Sequence, residues 1–299
     1  MRFTILIVMF SKILKYVGIA ILALLLTGAI AYGVFAWRFD RKVNKPYAVN
    51  VRNIPIPTDS ATLAYGRHLY EIKGCGECHG ANLGGRVVIN DPAIGKITGT
   101  NLTYGKNGLP SSFDNEAWLK ALRHGLNTEN KPLLLMPSQD YYKLDDHDMA
   151  AIIAYCKSLP YIDSLAAPNE VGPLGKILTV LGKIDMVPAE TIDHGYKQPE
   201  KVQTAASAAY GQYLVASCTG CHKPALTGGD NPVPGGVPVA NITSKGNVGK
   251  WSKEDFIKTL RTGNTPEGKV LRNEDMPWKM TEKYTDVELE ALYLYLKSI

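Results

Sequence analysis

Cys75-Gly-Glu-Cys78-His79 and Cys218-Thr-Gly-Cys221-His222 decide the reading of this chain, and they hold four of its five cysteines. C-x-x-C-H is the pattern of c-type haem attachment. The chemistry needs that spacing. Two thiols separated by two residues can bond the two vinyl groups of one porphyrin, and the adjacent histidine then lies beneath the iron as its proximal ligand. Three plainer readings compete. A thioredoxin-type pair needs a βαβ setting, which the pattern lacks. Zinc would need a dependable fourth ligand. A structural disulfide leaves His79 and His222 without a reason. Two copies of the motif predict two covalently attached haem c groups.

The surrounding sequence repeats with the motifs. Tyr65-Gly-Arg-His-Leu precedes the first and Tyr210-Gly-Gln-Tyr-Leu the second, and Leu83 and Leu226 each follow their histidine by four residues. Further along, Asn101-Leu-Thr matches Asn241-Ile-Thr, Leu119 to Gly125 matches Ile257 to Gly263, and Met136-Pro137 matches Met276-Pro277. Taken alone, each Asn-x-Thr is a glycosylation acceptor. Their equivalent places point instead to a shared structural role.

Each unit predicts a helix before the motif (near 59–73 and 204–217) and a long Gly/Pro-rich stretch after it. Next comes a helix over Asp114–His124 or Lys253–Thr262 ending at glycine. The last helix, Asp145–Leu159 or Thr285–Ile299, is apolar at helical spacing through Met149, Ile152, Ile153 and Cys156, or Leu289, Leu292, Tyr293 and Leu296. A long structureless stretch normally argues against a domain, but a wrapped porphyrin supplies the missing core. The fold class is therefore all-α, with two small haem domains in tandem.

For the sixth iron position, only Met136 and Met276 occur at matched places, each before proline, 57 and 54 residues after their histidines. The expected metal ligands are His79, Met136, His222 and Met276. Thioether ligation suits haem iron and raises its potential. Met149 aligns with Leu289 and reads as core, and Met280 has no counterpart. His68, His124 and His147 lack a partner in the other repeat and read as surface or structural, as does His194 in the linker. Cys156 reads as a small buried hydrophobe.

The net charge of +5 sits in one place. Residues 1–45 hold seven basic residues against Asp40 and carry +6, so the remaining 254 sum to −1. A nucleic-acid footprint would lie on the folded part; this excess flanks an apolar run instead. Val17 to Trp37 is 21 residues without a charge, long enough as a helix to cross about 30 Å of hydrocarbon. Ala29-Ile30-Ala31 also fits signal cleavage, but the apolar run continues past it, which favours a retained anchor. The positive flanks do not orient it; haem attachment places the C-terminal part outside the cytoplasm. The resulting division is an anchor with flanks over 1–45, haem domains over 46–160 and 204–299, and a linker over 161–203. Within the linker, Lys176 to Ile184 reads as a short helix packed across both domains, or as an interaction surface.

On both C-x-x-C-H motifs, Asn101-Leu-Thr, Asn241-Ile-Thr, Leu122-Arg-His-Gly, Leu260-Arg-Thr-Gly and both Met-Pro pairs, residues 60–299 resemble class I cytochromes c. In particular they resemble the cytochrome subunits of membrane-bound alcohol and sugar-acid dehydrogenases. The resemblance implies covalent haem c, His/Met axial ligation, export before attachment, and electrons passing toward a quinone or terminal oxidase. Those subunits carry three haem domains and a C-terminal anchor, which this sequence does not match. The expected role is a membrane-anchored di-haem relay in the bacterial cytoplasmic membrane, with its haem domains periplasmic. Its partners would be a donor dehydrogenase or quinol-oxidising complex and an acceptor oxidase or soluble cytochrome. A di-haem peroxidase, or a gas-binding sensor in which one methionine yields, is the alternative.

Overall fold

In each repeat a glycine lets two helices cross at backbone contact. A Cβ on Gly66 would lie 2.0 Å from the carbonyl oxygen of Ala151, and one on Gly211 would lie 2.0 Å from that of Ala291. The computed structural model describes residues 2–164, 168–231 and 236–299, and of residues 2–8 and 11 the backbone alone. A long first helix, α1 (Arg2–Val43), leads into the first repeat: α2 (Ser60–Ile72), α3 (Cys75–His79), α4 (Asn115–Leu119) and α5 (Asp146–Ser158). Linker helix α6 (Pro173–Val180) precedes the second repeat: α7 (Ala208–Leu214), α8 (Ala216–His222), α9 (Lys253–Thr262), α10 (Trp278–Thr281) and α11 (Asp286–Ser298). Parts of the expected linker (165–167) and of the second Gly/Pro-rich stretch (232–235) lie outside the described residues.

The crossing pairs are α2 with α5 and α7 with α11. Their ends are set locally. Asp59 accepts from Ala61 and Thr62 to start α2, Asp145 accepts from Asp148 to start α5, and Thr285 with Glu288 forms a capping box on α11, each satisfying amide donors that have no partner inside the helix. Buried Met149, Ile152, Ile153 and Cys156 face the first core, and Leu289, Leu292 and Leu296 the second.

Two features depart from the sequence reading. The stretch predicted as one helix over Asp114–His124 is α4 continued by a π turn, Lys120–His124, closing at Gly125 with φ +64°. The all-α expectation gains a small antiparallel sheet, β1 (Arg86–Asp91), β2 (Gly95–Gly99) and β3 (Glu170–Val171), in that order. Val87-Val88-Ile89 is too short to show a period, and β3 comes from the linker. The linker also caps the first repeat where Ile162 O accepts from Asn101 Nδ2 at 2.6 Å. The matched Asn-x-Thr tripeptides do share a role. Asn101 Oδ1 accepts from Thr103 N and Oγ1 at 2.9 and 2.8 Å, and Asn241 Oδ1 accepts from Thr243 N and Oγ1 at the same distances.

Candidate functional site

The two C-x-x-C-H segments adopt the same geometry. Each is a short helix, α3 or the end of α8, and each histidine is buried. His79 Nδ1 lies 2.8 Å from Thr100 O, and His222 Nδ1 lies 2.8 Å from Ala240 O. The carbonyl makes Nδ1 the protonated nitrogen and leaves Nε2 with its lone pair, the arrangement a metal-bound imidazole needs. Burial holds both histidines below the ordinary range, with the carbonyl contact opposing it, so the rings are neutral and able to ligate.

The chain then turns back identically. Gly85 N donates to His79 O and Gly228 N to His222 O, while Leu83 and Leu226 sit at φ +61° and +59°. That region is unfavourable for a side chain with Cβ. It is held because Leu102 N and Ile242 N donate to those leucines' carbonyls, at 2.8 and 3.0 Å, and both side chains are fully buried. The resulting loop carries Thr100 or Ala240 over the histidine.

None of the five cysteines is paired with another in a disulfide. Burial pushes Cys75 up to about 12 and Cys218 up to about 11, and raises Cys78 and Cys221 as well. As unpaired thiols beside a neutral imidazole, both sets fit covalent attachment of a porphyrin. In the first repeat Cys75 lines a small apolar cavity with Leu122, Tyr141, Leu144, Met149 and Ile152, and Met136 is partly buried against the larger apolar core that runs through both repeats. Met136 O accepts from Ser138 N, and Met276 O from Trp278 N, both at 2.7 Å, across Pro137 and Pro277 with nearly equal angles. Both methionines therefore leave their loops on the same tight turn.

The other histidines stand apart from these segments. His68 bonds Glu288, His124 Nδ1 lies 3.0 Å from His194 Nδ1, and His147 lies beside Asp148. Cys156 is buried in the first core, as expected.

Sequence reasoning missed the surface between the repeats. Lys73 Nζ lies 3.4 Å from Ser217 Oγ, so the residues just before each motif touch. The turn after Met136 (Ser138–Asp140) packs on α8, and α10, after Met276, packs on α2. Tyr213 donates to Asp148 at 2.7 Å and Tyr284 to Ile72 O at 3.2 Å. Lys73 is buried, which lowers its pKa, and Asp140 is pushed up to about 7 by burial. No spacing in the sequence signals these residues, because each one's partner lies in the other repeat.

Comparison with known proteins places the same segments in one family. The profile of the family described as Cytochrome c matches residues 63–160 and 208–299. Over 274 residues, 81% of this chain, it is 26% identical to the alcohol dehydrogenase (quinone) cytochrome c subunit of Gluconobacter oxydans (strain 621H). It is 27% identical over 84% of its length to the fructose dehydrogenase cytochrome subunit of Gluconobacter japonicus, and 25% over 81% to the gluconate 2-dehydrogenase cytochrome c subunit of Pantoea cypripedii. The matched regions span 55%, 56% and 60% of those relatives.

Proposed function

The chain belongs to the cytochrome c family of electron-transfer proteins with covalently bound haem c, and on that premise we propose that it is a membrane-anchored relay with one haem per repeat. Cys75 and Cys78 would hold the first haem by thioether bonds and Cys218 and Cys221 the second. His79 with Met136, and His222 with Met276, would cap the irons. Each bound haem supplies a one-electron couple between ferrous and ferric iron.

The protein's part is to hold, orient and exclude water. Thr100 O and Ala240 O fix the imidazole planes. In the first repeat, two buried donors, Trp118 Nε1 and Arg123 Nε, have no acceptor among the described residues. Trp118 and Leu122 lie four residues apart, so they share a face, and Leu122 lines the cavity beside Cys75. Porphyrin carboxylates there would satisfy donors that are otherwise costly to bury.

The observation that carries relay is the reciprocal contact between repeats: the segment after each methionine packs on the motif region of the other. An electron arriving at one haem would then reach the second inside the molecule. The apolar helix fits an anchor, and covalent haem attachment outside the cytoplasm would put the repeats on the periplasmic side of a bacterial membrane. The relatives' names suggest a dehydrogenase as donor; a quinol-oxidising complex is the alternative donor. An oxidase or soluble cytochrome would accept.

Rapid reduction of the reconstituted protein by less than one electron equivalent tests this. Redistribution between two spectrally distinct haems at a rate independent of protein concentration is expected. Exchange that needs collision between molecules would overturn it.

A further inference from the structure

Among the described residues, linker helix α6 packs against α1 and against the β1–β2 turn of the first repeat. Residues 12–34 of α1 are exposed, whereas Phe35, Ala36, Phe39, Lys42 and Val43 are partly or wholly covered. Their spacing is one helical face. Lys176 of α6 fixes the level, with Nζ 5.5 Å from the centre of the Phe39 ring and 3.8 Å from the Asp40 carboxylate. Phe39 is two residues, about 3 Å at 1.5 Å per residue, beyond Trp37, where the uncharged run ends. Trp37 is exposed with the Arg41 guanidinium 5.1 Å over its ring, an interfacial pairing of aromatic and cation.

The far side of α6 is docked. A Cβ on Gly175 would lie 2.3 Å from Ile94 O in the turn between β1 and β2, and Leu174 N donates to Ala93 O at 3.0 Å. Gly175 and Thr179 are buried on that side. Leu174 and Leu181, seven residues apart and so on one face, are 42% and 54% exposed, with Leu178 half-buried between them. Fixed to α1 through Lys176 at Phe39 and Asp40, α6 thus carries exposed leucines close to where α1 leaves its apolar stretch, with Lys183 just beyond Leu181 and Arg38 and Arg41 flanking Phe39 and Asp40 in α1.

We propose that α6 is a membrane-surface helix. Leu174, Leu178 and Leu181 enter the boundary between headgroups and acyl chains of the bilayer that α1 crosses, and the adjacent cations meet anionic headgroups. The first repeat is thereby held at a fixed orientation to the membrane by two contacts, α1 and α6. The inference rests on the anchor reading of α1. A lipid occupant is favoured over a protein because any surface at the level of Phe35 to Phe39 already lies within the headgroup layer if Trp37 marks its edge.

Spin labels test it on the full chain in vesicles of phosphatidylcholine and phosphatidylglycerol. The motif cysteines are consumed by attachment and Cys156 is buried, so an introduced cysteine reports alone. Labels go on Leu174→Cys and Leu181→Cys, with Leu25→Cys within the apolar run and Val270→Cys, 70% exposed, as controls. Collision with oxygen relative to a water-soluble nickel complex should be several-fold higher at 174 and 181 than at 270, and below the value at 25. Values at 174 and 181 equal to that at 270, with 25 in lipid, would overturn the inference and leave the anchor standing. Low collision with both reagents would mean that protein covers the face, which also overturns it. Position 25 in water would remove the anchor and the inference together.

Discussion

His68 in the first repeat holds Nε2 2.9 and 3.0 Å from the two carboxylate oxygens of Glu288 in the second, and Glu288 is buried. The bond from Glu288 raises the pKa of His68, against burial. Burial alone would raise Glu288, but His68 and the Thr285 cap bring it below its ordinary value. A raised histidine stabilises fully below its unfolded pKa and loses that contribution as pH rises through the folded one. A depressed carboxyl stabilises above its unfolded pKa and loses that contribution as pH falls through the folded one. The pair therefore contributes fully between about pH 4.5 and 6.5, and the contribution is lost as pH rises through His68's raised folded value.

Replacing His68 with alanine should lower stability by about 2 kcal/mol near pH 6, because Glu288 keeps Thr285 as a partner but loses its charged one. Thermal unfolding across pH 5–9 reads this. The gap between parent and variant should narrow as pH rises; a constant gap would show that the pair does not titrate as described.

Gly66→Ala and Gly211→Ala should each destabilise one repeat. Alanine in a helix gains about 1 kcal/mol in propensity over glycine. A Cβ 2.0 Å from a backbone oxygen forces the helices apart, costing on the order of 3 kcal/mol. The clash should win, seen as an earlier denaturant midpoint. Stabilisation by either alanine would contradict the crossing.

Asn101→Ala should cost more than Asn241→Ala. Asn101 is fully buried and also donates to Ile162 O, whereas Asn241 is partly exposed. Losses of about 3 and about 1 kcal/mol are expected, read by urea unfolding. Equal losses would mean that the linker contact adds nothing.

The twofold plan was legible because repetition marks residues under one constraint: Leu83 with Leu226, Asn101 with Asn241 and Met136 with Met276 each proved to share backbone geometry. What joins the repeats to each other and to the linker was not legible. Lys73 and Ser217, or His124 and His194, lie far apart in sequence with no pattern linking them, and their meaning comes only from the partner. The sheet was hidden for a similar reason, since β3 pairs with β2 across 74 to 76 positions, Lys96 with Glu170 and Gly95 with Val171. The π turn at Lys120–His124 leaves no mark in an otherwise helical pattern.

Replacing Met136 or Met276 with alanine should each convert one haem from low-spin to high-spin and lower its potential, leaving the other unchanged. Electron paramagnetic resonance of the oxidised protein reads the two separately. A variant with both irons still low-spin would remove that methionine from the ligand set.

Two covalently bound porphyrins are expected, one on Cys75 and Cys78 and the other on Cys218 and Cys221. Intact mass with thiol titration of the denatured, exported chain tests this directly. The predicted result is the polypeptide plus two haem masses and a single reactive thiol, that of Cys156. A bare polypeptide with all five thiols reactive would contradict it.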